Sequence, residues 1–330
     1  MKIVAPISHP EETEMLLHYG ADELYCGIAA SKWQSLYGDK LWMNRRNPVG
    51  ANISSIKDMG QITELSHKKG VEVYVAFNSP FYPPESLNYI LHLCEKLVFE
   101  TQIDGLVVSD LNLLILLSGK NLPVKIHLSS IANCINSEAA EFYLFLGVTR
   151  IILPRHMILS EIEALVKNMG KKIEFEVFAV NDGCYFEEGF CQTSHSMGGP
   201  FCMTQWKANP LSNSKKNLSY EKISESLKDL REFLWYQNNC GCSFQSEGLP
   251  NGPCSLCWFG LLKEFGVKAV KIAGREASFY RKMRSLQMVK EVISHVNSGA
   301  ASESIAKFAK KMRNTPKFCK KGYMCYFREN

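Results

Sequence analysis

GVKAVKIAGR, residues 266–275, is the stretch on which the fold turns. Gly266 closes an apolar helical pattern running from Leu256 to Phe265, and Lys268 to Ile272 then reads as a short buried strand. The same unit repeats upstream. Strand candidates fall at Ile3 to Ala5, Glu23 to Gly27, Glu72 to Phe77, Gly105 to Ser109, Val124 to Leu128, Arg150 to Leu153 and Ile173 to Ala179. Amphipathic stretches lie between them, at Pro10 to Tyr19, Ile56 to Lys69, Ser86 to Phe99, Ser137 to Phe145 and Ser160 to Asn168. Several end at a glycine able to take the left-handed helix cap, as at Gly20, Gly70, Gly147 and Gly170. Residues 266–275 supply the eighth βα step, and eight steps point to a closed parallel barrel rather than an open doubly wound sheet. No glycine-rich phosphate loop follows the first strand, which argues against a dinucleotide-binding domain and leaves the open sheet as the alternative.

The expected fold is therefore α/β, a (β/α)8 TIM-type barrel with a cysteine-rich insertion between strands 7 and 8. Residues 1–179 carry strands 1 to 7. Residues 180–267 form the insertion over the barrel mouth, too long for a simple loop, with a polar linker from Lys207 to Ser219 and an amphipathic helix from Tyr220 to Trp235. Residues 268–330 hold strand 8, a closing helix from Ala277 to Ser298 and a basic tail.

With 330 residues and 46% hydrophobic content, the chain can bury one large core. It contains no apolar run long enough to span a membrane, and MKIVAPISHPEE turns polar too soon for a leader, so a soluble, cytoplasmic protein is expected. The net charge is +5, and eight Lys or Arg fall between Lys307 and Arg328. Such a tail suits contact with phosphate, although the preferred reading is a solvated terminal segment.

Twelve cysteines are many for a chain expected in a reducing compartment, so metal or cluster ligation is the leading explanation. Cys26, Cys94 and Cys134 stand singly in apolar surroundings and read as core residues. Cys184, Cys191, Cys202, Cys240, Cys242, Cys254 and Cys257 crowd the insertion. The first three lie in a glycine-punctuated loop with aromatic neighbours, at spacings looser than the tight pairs of a zinc site, which favours an iron–sulfur cluster. A fourth ligand must come from elsewhere. Cys240, Cys242, Cys254 and Cys257 could also form a zinc knuckle of their own, and buried thiols without metal are the remaining alternative. His195 reads as an exposed loop residue.

Loops that follow the strands of a parallel barrel converge on one face, so polar residues at strand ends are candidates for a shared site. Asn78 ends strand 3, and Ser109 and Asp110 end strand 4. His127, Ser129, Ser130 and Asn133 are placed after strand 5, Arg155 and His156 after strand 6, and Lys271 and Arg275 around the end of strand 8. Any one of them could be a helix cap or a satisfied polar group, but together they indicate a polar mouth.

These residues also carry a family resemblance. GADELYCG (20–27), HLSSIANCINSEAA (127–140), GVTRIILPR (147–155), EVFAVNDGC followed by six residues and Cys191, and GVKAVKIAGR together resemble the U32 peptidase family of collagenase-like proteins, from Met1 to about Gln287. The resemblance implies a barrel in which four cysteines bind a [4Fe–4S] cluster. Cys184 and Cys191 reproduce the first pair, Cys202 matches the third, and the fourth falls at Cys254, with Cys257, Cys240 and Cys242 as substitutes. It also places His127, Asn133, Arg155, Glu176 and Arg275 in family motifs, with Lys271 beside them.

Despite the peptidase name, the resemblance implies oxygen-independent hydroxylation of tRNA, of ribosomal RNA or of the ubiquinone ring, with prephenate as oxygen donor and a homo- or heterodimer with a related subunit as a partner arrangement. Two family features are absent. The KIEGR-like strand has Ala273 where the family carries a carboxylate, and Val180 and Asn181 replace a His-Gly pair. The expected function is an iron–sulfur hydroxylase acting on RNA or a small aromatic substrate; the alternatives are a peptidase and a non-catalytic iron–sulfur partner subunit. A peptidase needs an open metal position for water, which four thiolates do not leave.

Overall fold

The computed structural model of the chain describes residues 1–38, 41–46, 48–183, 188, 191, 219–239, 244–322 and 324–327. Eight strands close into a barrel in sequence order. They are β1 (Lys2–Pro6), β2 (Glu23–Cys26), β3 (Glu72–Phe77), β4 (Gly105–Val108), β5 (Lys125–Leu128), β6 (Val148–Ile152), β7 (Glu174–Val180) and β8 (Ala269–Ile272). All neighbours are parallel, and β1 pairs with β8 to complete the ring. The stretch 266–275 is therefore the closing strand: Lys2, Ile3 and Val4 align with Ala269, Val270 and Lys271 on one edge, while Glu176, Val177 and Phe178 align with Ala269, Val270 and Lys271 on the other.

The strands are buried on both faces, with helices outside and the barrel interior within, which explains their continuous apolar runs. The interior itself is unusually polar. Register places Glu23 beside Glu72, Tyr25 beside Tyr74, His127 beside Arg150 and Phe178 beside Lys271. Arg150 donates to Glu23 through Nη2 at 2.9 Å and Nη1 at 2.5 Å, and Nη1 lies 3.2 Å from Glu176 Oε2. His127 stacks on Tyr74 at 4.2 Å between ring centroids. Gly105, between them on β4, leaves that stack its room: a Cβ there would lie 2.5 Å from Tyr74 Cε1.

Two differences from the sequence reading concern ends of elements. His127 lies within β5, inside the bounds read for that strand, rather than after it with Ser129 and Ser130, where the turn begins. The basic tail is folded. Helix Ser302–Arg313 buries Ile305, Ala309 and Arg313, spaced four residues apart on one face, and helix Pro316–Lys321 follows. Lysines on the other face gave the segment its soluble appearance. The connection from β2 to β3 also holds two short helices, Ser31–Tyr37 and Pro48–Ala51, in a stretch without a clear period. No helix among the described residues is long and apolar enough to cross a membrane.

Candidate active site at the barrel mouth

Ala273 to Arg275 leave the end of β8 at the barrel mouth, where Gly274 takes φ +102°. This turn directs Arg275 back over the barrel, where it is 3% exposed. Its Nη1 donates to Asn52 Oδ1 at 3.1 Å and its Nη2 to Asn44 Oδ1 at 2.8 Å. Asn44 Nδ2 donates to Asn52 Oδ1 at 2.9 Å, so the two amides are locked together. Gly27 underlies all three. A Cβ there would meet Asn52 Oδ1, Arg275 Nη1 and Asn44 Nδ2. Among the described residues Arg275 forms no ion pair with a carboxylate, and burial lowers its pKa, yet a guanidinium stays charged.

Lys271 sits one layer deeper. Its Nζ donates to Glu176 Oε1 at 3.0 Å and lies 3.9 Å from the centroid of the Tyr25 ring. Burial lowers its pKa, and Glu176 opposes that shift. Burial also takes His127 well below the usual imidazole value, reinforced by Arg150 and Lys271, so its ring is neutral near pH 7.

Arg155 leaves the end of β6 and lies over the Phe178 ring, 3.4 Å from its centroid. Its backbone N–H donates to Glu188 Oε2 at 3.0 Å, its Nη1 reaches Glu188 Oε1, and its Nη2 donates to Asp182 Oδ2 at 3.1 Å. Glu188 is fully buried and also accepts from Arg45 Nη1 at 2.9 Å and Ser130 Oγ at 3.0 Å. Burial raises the Glu188 pKa, and Arg155 and Arg45 outweigh it to hold the carboxyl low. Asp182 is treated likewise: burial is overcome by Arg46, Arg155 and Arg45.

Asn181 and Asp182 both have left-handed backbone, φ 70° and 57°. That is a strained pair for residues with a Cβ, and it turns Asp182 towards Arg46 and Arg155. It also explains why an asparagine stands where the U32 resemblance expects glycine, since Asn tolerates this region best after Gly.

The mouth cavity is lined by Arg45, Arg46, Arg155, Lys271 and Arg275, with Asn78, Ser129, Ser130 and Asp182 between them. Of the residues singled out in the sequence, the structure brings Asn78, Ser129, Ser130, Arg155, Lys271 and Arg275 together here. Glu176 and His127 lie beneath, holding the layer that supports Lys271. Asn133 follows the turn Ser130–Ala132 in left-handed conformation and does not line the cavity; its Oδ1 is buried without a hydrogen-bond partner among the described residues. Asp110 serves as the cap of helix Leu111–Lys120, accepting from Leu113 N at 2.7 Å.

Arg45, Arg46, Asn44, Asn52 and Glu188 were missed. The first four sit in the β2 to β3 connection, which is itself a loop after a strand and therefore belongs to the same face. Glu188 lies between two singled-out cysteines.

Of the proposed cluster ligands, Cys184 and Cys202 lie outside the described residues, as do Cys240, Cys242 and His195. Cys191 is buried at the mouth, and its sulfur accepts from Arg45 Nη2 at 3.3 Å. Cys254 is buried against Arg313. The donor set suits a soft metal group, because Cys191 and Cys254 are each paired with a guanidinium able to offset thiolate charge, while the Cys257 thiol lies against Ala306 O.

Fold and mouth together define a parallel (β/α)8 barrel with a cationic pocket at the C-terminal face of its strands. The model of peptidase family U32 matches residues 8–330, and the chain belongs to that family. It is 24% identical to the tRNA hydroxylation protein P of Escherichia coli, over 90% of this chain and 69% of the relative. It is also 24% identical to the 23S rRNA 5-hydroxycytidine synthase of the same organism, over 73% of this chain and 32% of the relative. A Porphyromonas gingivalis collagenase is 26% identical over 58% of this chain and 44% of the relative. The chain thus spans less than half the length of the last two.

Proposed function

We propose that the chain is an iron–sulfur enzyme of oxygen-independent hydroxylation, acting on RNA or a small aromatic ring, and that its barrel mouth grips an anionic reactant. The observation that carries this reading is Arg275: a buried guanidinium facing the cavity and held by two amides, with no carboxylate ion-paired to it among the described residues. A buried charge without a counter-ion is costly, and a bound carboxylate or phosphate supplies one. RNA phosphate and the carboxylates of a donor such as prephenate both fit. Ala273 sharpens the preference for anions, because a carboxylate at that position would have partly neutralised the mouth.

Cys184, Cys191 and Cys202 would hold a [4Fe–4S] cluster, with a fourth thiolate from Cys254 or from the Cys240–Cys242 pair. The cluster would supply one-electron redox chemistry, with electrons delivered from outside the chain. The residues of the mouth bind and orient the reactants, and the neutral His127 and paired Glu176 keep the layer below rigid. Support for hydroxylation comes from the relatives named for tRNA and rRNA modification.

The test compares modified nucleosides in RNA from cells with and without the gene, together with iron and sulfide assay of anaerobically purified protein. Loss of a hydroxylated base is expected, and an unchanged profile would direct the reading to the small aromatic ring. Purified protein that is iron-free, folded and able to cleave peptides would sink the proposal. Arg275→Met should weaken binding of the anionic reactant by about tenfold to a hundredfold, the loss of one charge-assisted contact.

A further inference from the structure

We propose that Cys254, Cys257, Cys319 and Cys325 form an iron–sulfur site of their own, distinct from the insertion cysteines. Four sulfurs separated by up to seventy-one positions in sequence line one cavity of about 340 Å3, whose wall also includes Trp258, Leu261, Ala306, Glu303, Lys310 and Arg313. The inference goes beyond the hydroxylase reading and does not depend on it.

The backbone shows how the sequence gathers them. Cys254 forms isolated backbone β-bridges with Val180 at the end of β7 and with Cys325, and its N–H donates to Met324 O at 2.9 Å. Cys257 lies in the turn Leu256–Trp258, against which helix Ser302–Arg313 packs, with its thiol 3.8 Å from Ala306 O. Asn314, with φ 53°, ends that helix, and Pro316 starts the helix Pro316–Lys321 that carries Cys319 back over the cavity. The segment once read as a solvated tail is what closes the site.

A second observation concerns charge. Arg313 is 2% exposed, and among the described residues it has no ion pair with a carboxylate. Its Nη1 donates to Cys254 Sγ and to Met324 O at 3.3 Å, its Nη2 to Asn251 O at 2.8 Å and to Gly252 O, while its Nε is buried without a partner among the described residues. A buried cation surrounded by neutral acceptors and one sulfur calls for negative charge nearby. Four thiolates around a metal centre supply it, and Lys310, also on the cavity wall, offsets the rest.

The size of the cavity separates a cluster from a single ion. Zinc draws four sulfurs to roughly 2.3 Å, and among the described residues no three metal-binding side chains close on one point in that way. The cavity instead leaves space between the four sulfurs for a polynuclear core, with Trp258, Leu261 and Ala306 as its apolar wall and Ser302, Glu303, Lys310 and Arg313 as its polar one. Cys254 is then committed here, and the fourth thiolate of the insertion cluster falls to Cys240 or Cys242.

Full-length protein purified anaerobically is assayed for iron, acid-labile sulfide and zinc, beside Cys319→Ser, Cys325→Ser and a Cys184→Ser, Cys191→Ser double variant. Each of the first two should lose one cluster's complement, roughly two to four irons per chain, with the circular dichroism of the barrel intact. The double variant should keep that complement and its electron paramagnetic resonance signal on reduction, whether or not the insertion binds a cluster. If the tail variants fail to fold, the double variant still decides: an iron-free double variant with intact fold overturns the site. Unchanged iron in folded Cys319→Ser and Cys325→Ser, or zinc in place of iron in the double variant, does so as well. Loss of iron only in the double variant supports the insertion cluster alone.

Discussion

Arg150 on β6 grips Glu23 on β2 across the floor of the barrel, with both guanidinium nitrogens on one carboxylate at 2.5 and 2.9 Å. Both side chains are almost fully buried. Burial alone would raise the Glu23 pKa, but Arg150 and then Lys2 hold it below the usual carboxylate value. The pair's contribution is thus present above the unfolded carboxyl pKa and lost as pH falls through the lower folded one. Removing one partner leaves the other's charge buried. Arg150→Met should destabilise the barrel by about 3–5 kcal/mol, read from urea unfolding at neutral pH. A loss below about 1 kcal/mol would mean the floor is wet and the pair marginal.

His127 should make the protein acid-sensitive without contributing a limb to any pH–rate profile near neutrality. Its folded pKa is depressed, by burial first and by Arg150 and Lys271 after it. Below about pH 6.5 the unfolded chain takes up a proton that the native barrel refuses, so stability falls with pH there by up to about 1.4 kcal/mol per unit. His127→Phe keeps a ring on Tyr74 and removes this slope. Unfolding free energies at pH 7.5 and 5.5 are compared; equal slopes in the two proteins would show that the imidazole titrates freely.

Gly27→Ala is a mutation of one methyl group with an effect on the mouth. The added Cβ has to displace the Asn44, Asn52 and Arg275 cluster, at a cost of about 1–3 kcal/mol for overpacking. Affinity for the anionic reactant should drop with it, because Arg275 loses its amide supports. Calorimetric titration beside thermal unfolding checks both. Unaltered affinity would place the anion away from Arg275.

Ile305 distinguishes a packed C-terminal segment from a solvated one. It is 2% exposed, and it packs close to Gly260. Ile305→Ala should cost about 2–5 kcal/mol, measured by denaturant unfolding. A change within about 0.5 kcal/mol would return residues 302–313 to the surface.

The eight strands were readable because each is a short apolar run set off by a helix and a glycine, a local pattern that needs no knowledge of what packs on it. Helix Ser302–Arg313 was misread for the converse reason. Its three buried positions are diluted among lysines, and what that face covers, the turn Leu256–Trp258 and the helices Phe259–Phe265 and Phe279–Asn297, is set only by the fold. The mouth residues Arg155, Lys271 and Arg275 followed from the barrel rule. Arg45 and Arg46 did not, because the β2 to β3 connection offers no period that marks where it returns.

What the sequence determined by itself was the parallel barrel, the polar strand ends and the concentration of cysteines, all properties of residues close in the chain. Residues 266–275 closed that reading, and the structure confirms them as the strand that joins β7 to β1. Pairing across the fold was decided by tertiary structure alone: Arg150 with Glu23, Glu188 with three partners, Cys254 with Arg313. Such contacts depend on where strands and loops return in space, and side-chain spacing along the chain carries no record of it.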